Sequence, residues 1–215
     1  MRKHFRPTGI TLSIALVCLS QQGCAPPKES VDKPSIDVVE LTVKNIQQAY
    51  TSGDYTSVDL TQAFLDQINL YEGHYNSFIS MNPNALEIAS TLDQERASGA
   101  IRGPLHGIPV VIKDNIDQKG LVTTAGFSGF SRTTGGIDMI PGDDAAVVER
   151  LLEAGAIILG KTNLPDFAGD GTRTKSSVSG VTLNAYDVTK APGGSSGGTA
   201  TAVNASFAVL GLGTE

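Results

Sequence analysis

Residues 191–213 read APGGSSGGTATAVNASFAVLGLG. Six of the first eight are Gly or Ser, the composition of a flexible linker. A helix-then-strand pattern follows at once, however, ending in the apolar FAVLGLG of 207–213, which has the signature of a short buried strand. A phosphate-cradling loop would end in something like Gly-Lys-Ser/Thr, and no such ending follows. A catalytic loop has its own use for these residues. Glycines let the backbone approach reacting groups closely, and adjacent hydroxyls relay protons or hydrogen-bond a substrate. Composition alone leaves linker, anion loop and catalytic loop open.

Two stretches upstream share the strand signature. GIPVVIKDNID (107–117) contains a continuous apolar run from Ile108 to Ile112, bounded by Gly107 and by Asp114-Asn115, with Lys113 at its C-terminal end. IILGKTNL (157–164) is a second such run and ends in a Lys-Thr-Asn cluster. Helical periodicity fills the rest. Val43, Ile46, Ala49 and Tyr50 recur at helical spacing, and Gly53 breaks that helix. Thr56 followed by Asp59 has the form of a capping box, opening a helix with Leu60, Phe64, Leu65 and Ile68 on one face. A third helix is predicted over Asn84 to Ala97, and a fourth over 144–156, DAAVVERLLEAGA. Helices alternating with apolar strands predict an α/β fold, with a parallel or mixed buried sheet flanked by helices.

Lys113 has two readings. A lysine after a buried strand is ordinarily a surface charge at the strand end. If buried instead, its charge is costly to desolvate and the neutral amine, a usable general base, is favoured. At an unperturbed value near 10.4 only about one amine in 2,500 is neutral at pH 7. A dry site must close that gap, at about 4–5 kcal/mol.

The 215 residues are 40% hydrophobic and 18% charged, an ordinary globular balance with enough apolar material for a sizeable core. The net charge of -6, without a Lys/Arg run, gives no electrostatic footprint for a nucleic acid. Only two cysteines exist, Cys18 and Cys24, and the histidines His4, His74 and His106 are scattered. That excludes a disulfide framework and offers no zinc-ligand spacing. Neither a metal nor a cofactor is expected.

GPLHGIPVVIKDNID (103–117), AGAIILGKTNLPDF (154–167) and APGGSSGGTATAV (191–203) closely resemble the amidase signature family, in this order. YTSVDLTQAFLDQI (55–68) is similar to its N-terminal helix. The resemblance covers 35–215 and implies the amidase-signature fold, here in its N-terminal portion and therefore incomplete. It also implies hydrolysis of a small-molecule or peptide amide through an acyl-enzyme and a Ser-Ser-Lys triad. Lys113 matches the buried base and Ser195 the bridging serine, with a cis peptide bond. Ser196, Gly197 and Gly198 shape the loop beside the substrate, and Ser177 is expected near it. His106, Lys161 and Asn163 match scaffold positions. The family places its nucleophilic serine a few residues beyond Glu215, so the chain as given is expected to hydrolyse no amide.

The N-terminus carries a different signal. Arg2, Lys3 and Arg6 precede an apolar run from Ile10 to Leu19, too short for a spanning helix and suited to a secretory signal. Gly23-Cys24 before APPKES resembles a bacterial lipoprotein site, although Gln21 stands where such signals usually carry an aliphatic residue. The expected organisation is a signal over 1–23, a Cys24 lipid anchor to a membrane, a tether over 24–34, and the α/β domain over 35–215. Export to the periplasm without lipid is the variant of this reading, and an uncleaved anchor is the third. Two rival functions remain: a noncatalytic lipoprotein that binds an amide or peptide, and a Gly-rich nucleotide binder. Within the family, an exported acidic chain is not expected to act on tRNA.

Overall fold

The computed structural model describes residues 35–215; the signal, the tether and the Cys24 lipid site lie outside the described residues. The described chain begins with two helices. Helix α1 (Val43–Ser52) is capped by Thr42, whose hydroxyl accepts from the Asn45 amide at 3.2 Å, and it ends at Gly53, where φ is 77°. Helix α2 (Ser57–Tyr75) opens with the capping box read from the sequence. The Asp59 carboxylate accepts from the Thr56 amide at 3.0 Å, and the Thr56 hydroxyl accepts from the Asp59 amide at 3.1 Å.

Strand β1 (Phe78–Met81) follows, then helix α3 (Ala85–Ala97). Asp93 of α3 accepts from the Ser57 and Val58 amides at 2.8 and 3.0 Å, closing two of the orphan donors of α2 and fixing the two helices together. Strand β2 (Pro109–Lys113), helix α4 (Ala146–Glu153) and strand β3 (Ile157–Thr162) come next. Every residue of both strands is buried, as their unalternating apolar composition requires. The two-residue strands β4 (Lys175–Ser176) and β5 (Gly180–Val181) form a separate antiparallel ribbon. Helix α5 (Gly197–Asn204) and strand β6 (Leu210–Leu212) complete the described chain.

The main sheet has the order β1-β3-β2-β6. Strands β3, β2 and β6 run parallel, while β1 is antiparallel to β3, so the sheet is mixed. Ile108, Val110, Ile112, Ile157, Ile158 and Leu159 are fully buried and join Leu60, Phe64, Ala89 and Leu92 of the helices in one core. Lys113 pairs with Thr162 in the sheet, and the Thr162 hydroxyl meets that of Thr199 on α5 at 2.6 Å.

The structure departs from the sequence reading in two places. The predicted strand over 207–213 shrinks to Leu210–Leu212. Ser206 takes a left-handed φ of 56° and the Phe207 amide bonds back to Ala202, so Phe207 and Ala208 are buried in a turn. Strands β1, β4 and β5 have no counterpart in the sequence reading. Among the described residues, no helix is long and apolar enough to cross a membrane.

Phe64 is 1% exposed whereas Leu70, further along α2, is 69% exposed. Phe64→Ala is expected to destabilise the fold by about 3–5 kcal/mol. Leu70→Ala is expected to stay within about 0.5 kcal/mol of wild type. Urea unfolding of the two variants checks the difference.

Candidate active site

The buried strand β2 delivers Lys113 to the carboxyl end of the parallel strands, where α/β sheets place their ligands. The side chain has no exposed surface. Its Nζ donates to Ser195 Oγ at 2.6 Å, to Thr214 Oγ1 at 2.8 Å and to Ser196 Oγ at 3.1 Å. Three donors thus meet three hydroxyls, and among the described residues no carboxylate closes an ion pair with it. Burial holds the ammonium below its usual lysine range, and the Glu215 carboxylate pulls it part of the way back. Burial thus eases loss of the proton relative to a solvated lysine, while the three donated hydrogen bonds hold the ammonium.

Ser195 follows a cis Gly194–Ser195 peptide bond. Its hydroxyl meets Lys113, and the loop that carries it is pressed against the segment after β3. A Cβ at Gly194 would stand 2.4 Å from the Asp170 carbonyl oxygen and 2.7 Å from that of Arg173. One at Gly198 would stand 2.3 Å from the Asn163 carbonyl oxygen. The glycines are there because backbone meets backbone.

Ser196 and Ser177, both expected beside substrate, differ in place: Ser196 meets Lys113 and Ser177 does not. The Ser196 hydroxyl donates to the Thr214 carbonyl and accepts from the Thr214 amide, each at 3.1 Å, so it joins the loop to the end of β6. Gly197 and Gly198 are buried at the start of α5. The Ser177 hydroxyl accepts from the Ser128 amide at 2.8 Å and donates to the Gly126 carbonyl at 3.3 Å. It fastens a loop and does not meet the Lys113 cluster. Ser196 and Gly213 do, however, line a cavity of about 790 Å³ that runs along α5 and β6. Neither Lys113 nor Ser195 lines it.

Thr214 and Asn115 were not singled out in the sequence. Asn115 Nδ2 donates to Thr214 Oγ1 at 3.1 Å, the same hydroxyl that Lys113 uses. Asn115 lies in the turn that follows β2, closed by the Ile116 amide donating to the Lys113 carbonyl at 2.9 Å. Asp114 points the other way, into a fully buried pair with Lys161, Nζ to Oδ1 3.2 Å. Its second oxygen accepts from the Thr124 amide at 3.0 Å and from the Thr124 hydroxyl. Burial pushes the Asp114 carboxyl up and the Lys161 ammonium down, and each partner restrains the other. His106 is fully buried, its Nδ1 accepting from the Arg102 amide at 3.1 Å and its Nε2 bonded to the Leu92 carbonyl at 2.9 Å. Asn163 donates to Thr182 Oγ1 at 2.9 Å. No group of acidic, His or Cys side chains among the described residues is placed to hold a metal.

The family model that describes amidases matches residues 59–215. In Chloroflexus aurantiacus, the A component of glutamyl-tRNA(Gln) amidotransferase is 44% identical over 176 residues, 81% of this chain and 35% of that protein. Its counterpart in Renibacterium salmoninarum is 43% identical over 180 residues, 83% of this chain and 33% of that protein. Among solved structures, the native peptide amidase of Stenotrophomonas maltophilia superposes with a TM-score of 0.73 at 38% identity, covering 80% of this chain and 36% of that one. An amidase family protein of Bacillus anthracis gives 0.75 at 36% identity, covering 83% and 36%. The chain spans about a third of the length of these relatives.

The depressed Lys113 value has a consequence for stability. A group protonated more readily in the unfolded chain makes stability rise with pH between its folded value and its unfolded value, near 10.5. Wild type is expected to gain stability over Lys113→Met as pH rises through that window. Urea midpoints of both proteins across alkaline pH measure the difference, and a constant gap would contradict the depressed value.

Proposed function

Because the chain belongs to the amidase signature family, we propose that Lys113 and Ser195 are the proton relay of an enzyme that hydrolyses a carbon–nitrogen amide bond. The contact that supports this reading is the 2.6 Å bond between a buried Lys113 and Ser195 Oγ. Neutral Lys113 takes the hydroxyl proton of Ser195 as Ser195 takes a proton from the attacking oxygen. The attack forms the tetrahedral adduct at the amide carbon. The proton then returns along the same path to the departing nitrogen as the carbon–nitrogen bond breaks, leaving an acyl-enzyme that water hydrolyses. The attacking oxygen in the Ser-Ser-Lys reading belongs to a serine that follows residue 215 in the family, so assays of the relay use protein that includes it. Thr214 and Ser196 hold Lys113 in line by occupying its other two donors.

The substrate is proposed to be a small-molecule or peptide amide, since the structurally similar enzyme of Stenotrophomonas maltophilia is a peptide amidase. A second reading is favoured by the identity of 43–44% to amidotransferase components: an amide-handling member of a tRNA-dependent assembly. The net charge of -6 weighs against direct contact of this chain with RNA. We propose further that the protein is exported and lipid-anchored through Cys24, on the basic residues, apolar run and Gly23-Cys24 that precede the domain. Fatty-acid labelling lost in Cys24→Ser would support the anchor, and equal label in both proteins would refute it.

Lys113→Ala is expected to lower kcat for amide hydrolysis by at least about 10²-fold, the lower bound for a positioned acid–base group, with the fold retained. Lys113→Arg should be nearly as damaging, because a guanidinium does not deprotonate. Steady-state kinetics with a panel of simple amides measures this. An Arg variant with most of the wild-type rate would show that the site needs charge and not basicity.

A further inference from the structure

The segment around Ser177 was expected to reach the site through that serine. The side chain that reaches the Gly-Ser loop is Thr174 instead. It is fully buried, and its hydroxyl donates to the Gly193 carbonyl, 19 positions along the chain, at 2.9 Å. The same oxygen lies against Gly197, where an added Cβ would stand 2.2 Å from it and 3.1 Å from the Thr174 Cβ. One hydroxyl thus meets both ends of the arc 193–197. Ser195 is the middle of that arc.

Thr174 is itself held in place. Its carbonyl accepts from the Thr182 amide at 3.0 Å, across the β4–β5 ribbon. The Thr182 hydroxyl donates to the Asn76 carbonyl at 2.6 Å and accepts from Asn163 Nδ2 at 2.9 Å. Asn163 follows directly on β3, and its own carbonyl accepts from the Gly198 amide at 3.2 Å. Hydrogen bonds therefore run from the end of β3 to both sides of Ser195, directly to Gly198 and through Thr182 and Thr174 to Gly193. A threonine suits this place. Its branched Cβ restricts χ1, so the hydroxyl keeps its direction with little side-chain freedom to lose.

The proton relay makes a geometric demand on this arc. Ser195 Oγ must face Lys113 and the attacking oxygen at once, and a displacement of about 1 Å in such a constellation costs about 10²-fold in rate. Lys113 meets the Ser195 side chain, but a single hydrogen bond does not fix the backbone that carries it. We infer that Thr174 is a positioning residue for the relay, holding the arc 193–197 so that Ser195 Oγ stays in line with Lys113. The inference rests on the hydrolysis proposed above and adds to it a residue that acts through the loop. Glycines at 194 and 197 let the neighbouring segment close onto the arc, and the Thr174 hydroxyl then fastens it.

Thr174→Val keeps the branched shape and deletes the hydroxyl, whereas Thr174→Ser keeps the hydroxyl and deletes the methyl. Both are compared with wild type in protein that extends through the family's nucleophilic serine, by ammonia release from benzamide and from N-acetylphenylalanine amide. Thr174→Val is expected to lower kcat at least about tenfold with KM within about twofold, the pattern of a group that serves the transition state. Thr174→Ser should keep kcat within about threefold of wild type. If the valine protein does not unfold cooperatively in urea, Thr174→Ala takes its place, and serine against alanine isolates the hydroxyl. A second measurement needs no turnover. Amide hydrogen exchange over 193–200, which includes the bonded Gly198 and Ala200 amides, is expected to quicken at least about threefold in Thr174→Val. Exchange in Thr174→Ser, and over α2 in both variants, should stay as in wild type. Unchanged kcat and exchange in Thr174→Val, equal losses in the valine and serine proteins, or a change in KM alone would overturn the inference. Wild type that releases no ammonia, with exchange altered as expected, removes the hydrolase and leaves Thr174 the holder of the loop. Turnover by wild type that Thr174→Val matches in rate does the reverse.

Discussion

A lysine ammonium with no exposed surface, held only by three hydroxyls, is the constraint around which this chain is arranged. The desolvation of that charge must be met by hydrogen bonds, since no carboxylate among the described residues pairs with it. The three hydroxyls come from two places: Ser195 and Ser196 on the Gly-Ser loop, and Thr214 just past β6. Strand β2 must therefore sit between elements that reach its carboxyl end, which is the role of its parallel pairing with β6 and the packing of α5.

The sheet has opposite chemistry on its two sides at this end. One side gathers neutral hydroxyls on Lys113. The other buries the Asp114–Lys161 pair, with Thr123 and Thr124 attached, the Lys161 ammonium donating to Thr123 Oγ1 at 2.8 Å. Breaking one member of such a pair leaves an uncompensated buried charge, so the turn after β2 is locked to β3 by more than its backbone bonds. Adjacent residues thus have opposite tasks. Asp114 is fixed by a full charge and Lys113 is left without one.

Much of this was legible beforehand. Strands β2 and β3 announced themselves as continuous apolar runs, and Thr56 with Asp59 announced the start of α2, because those signals are local. Strand β1 escaped notice because FISM is short, pairs antiparallel at an edge and carries no distinctive period. The strand read over 207–213 failed at Ser206, whose left-handed turn is set by the packing of Phe207 and not by its own chemistry. Lys113 stood out at the end of an apolar run, but its pairing with Ser195 came only through the family resemblance, since their spacing in sequence gives no hint of contact. Thr214 and Asn115 were missed for the same reason. Their partners lie about a hundred positions away, and no short motif encodes that distance.

Distance along the chain also governs when the lysine acquires its character. Val110 to Ile112 pair with Leu210 to Leu212, so a long loop must close before β6 can dock. Non-local parallel pairings of this kind form slowly, after local helices and hairpins. Until they form, Lys113 is an ordinary solvated amine, charged at neutral pH and surrounded by water. Its weakened hold on the proton therefore depends on that long-range pairing and is absent from the unfolded chain. Docking of β6 and the change in how Lys113 titrates are then one event.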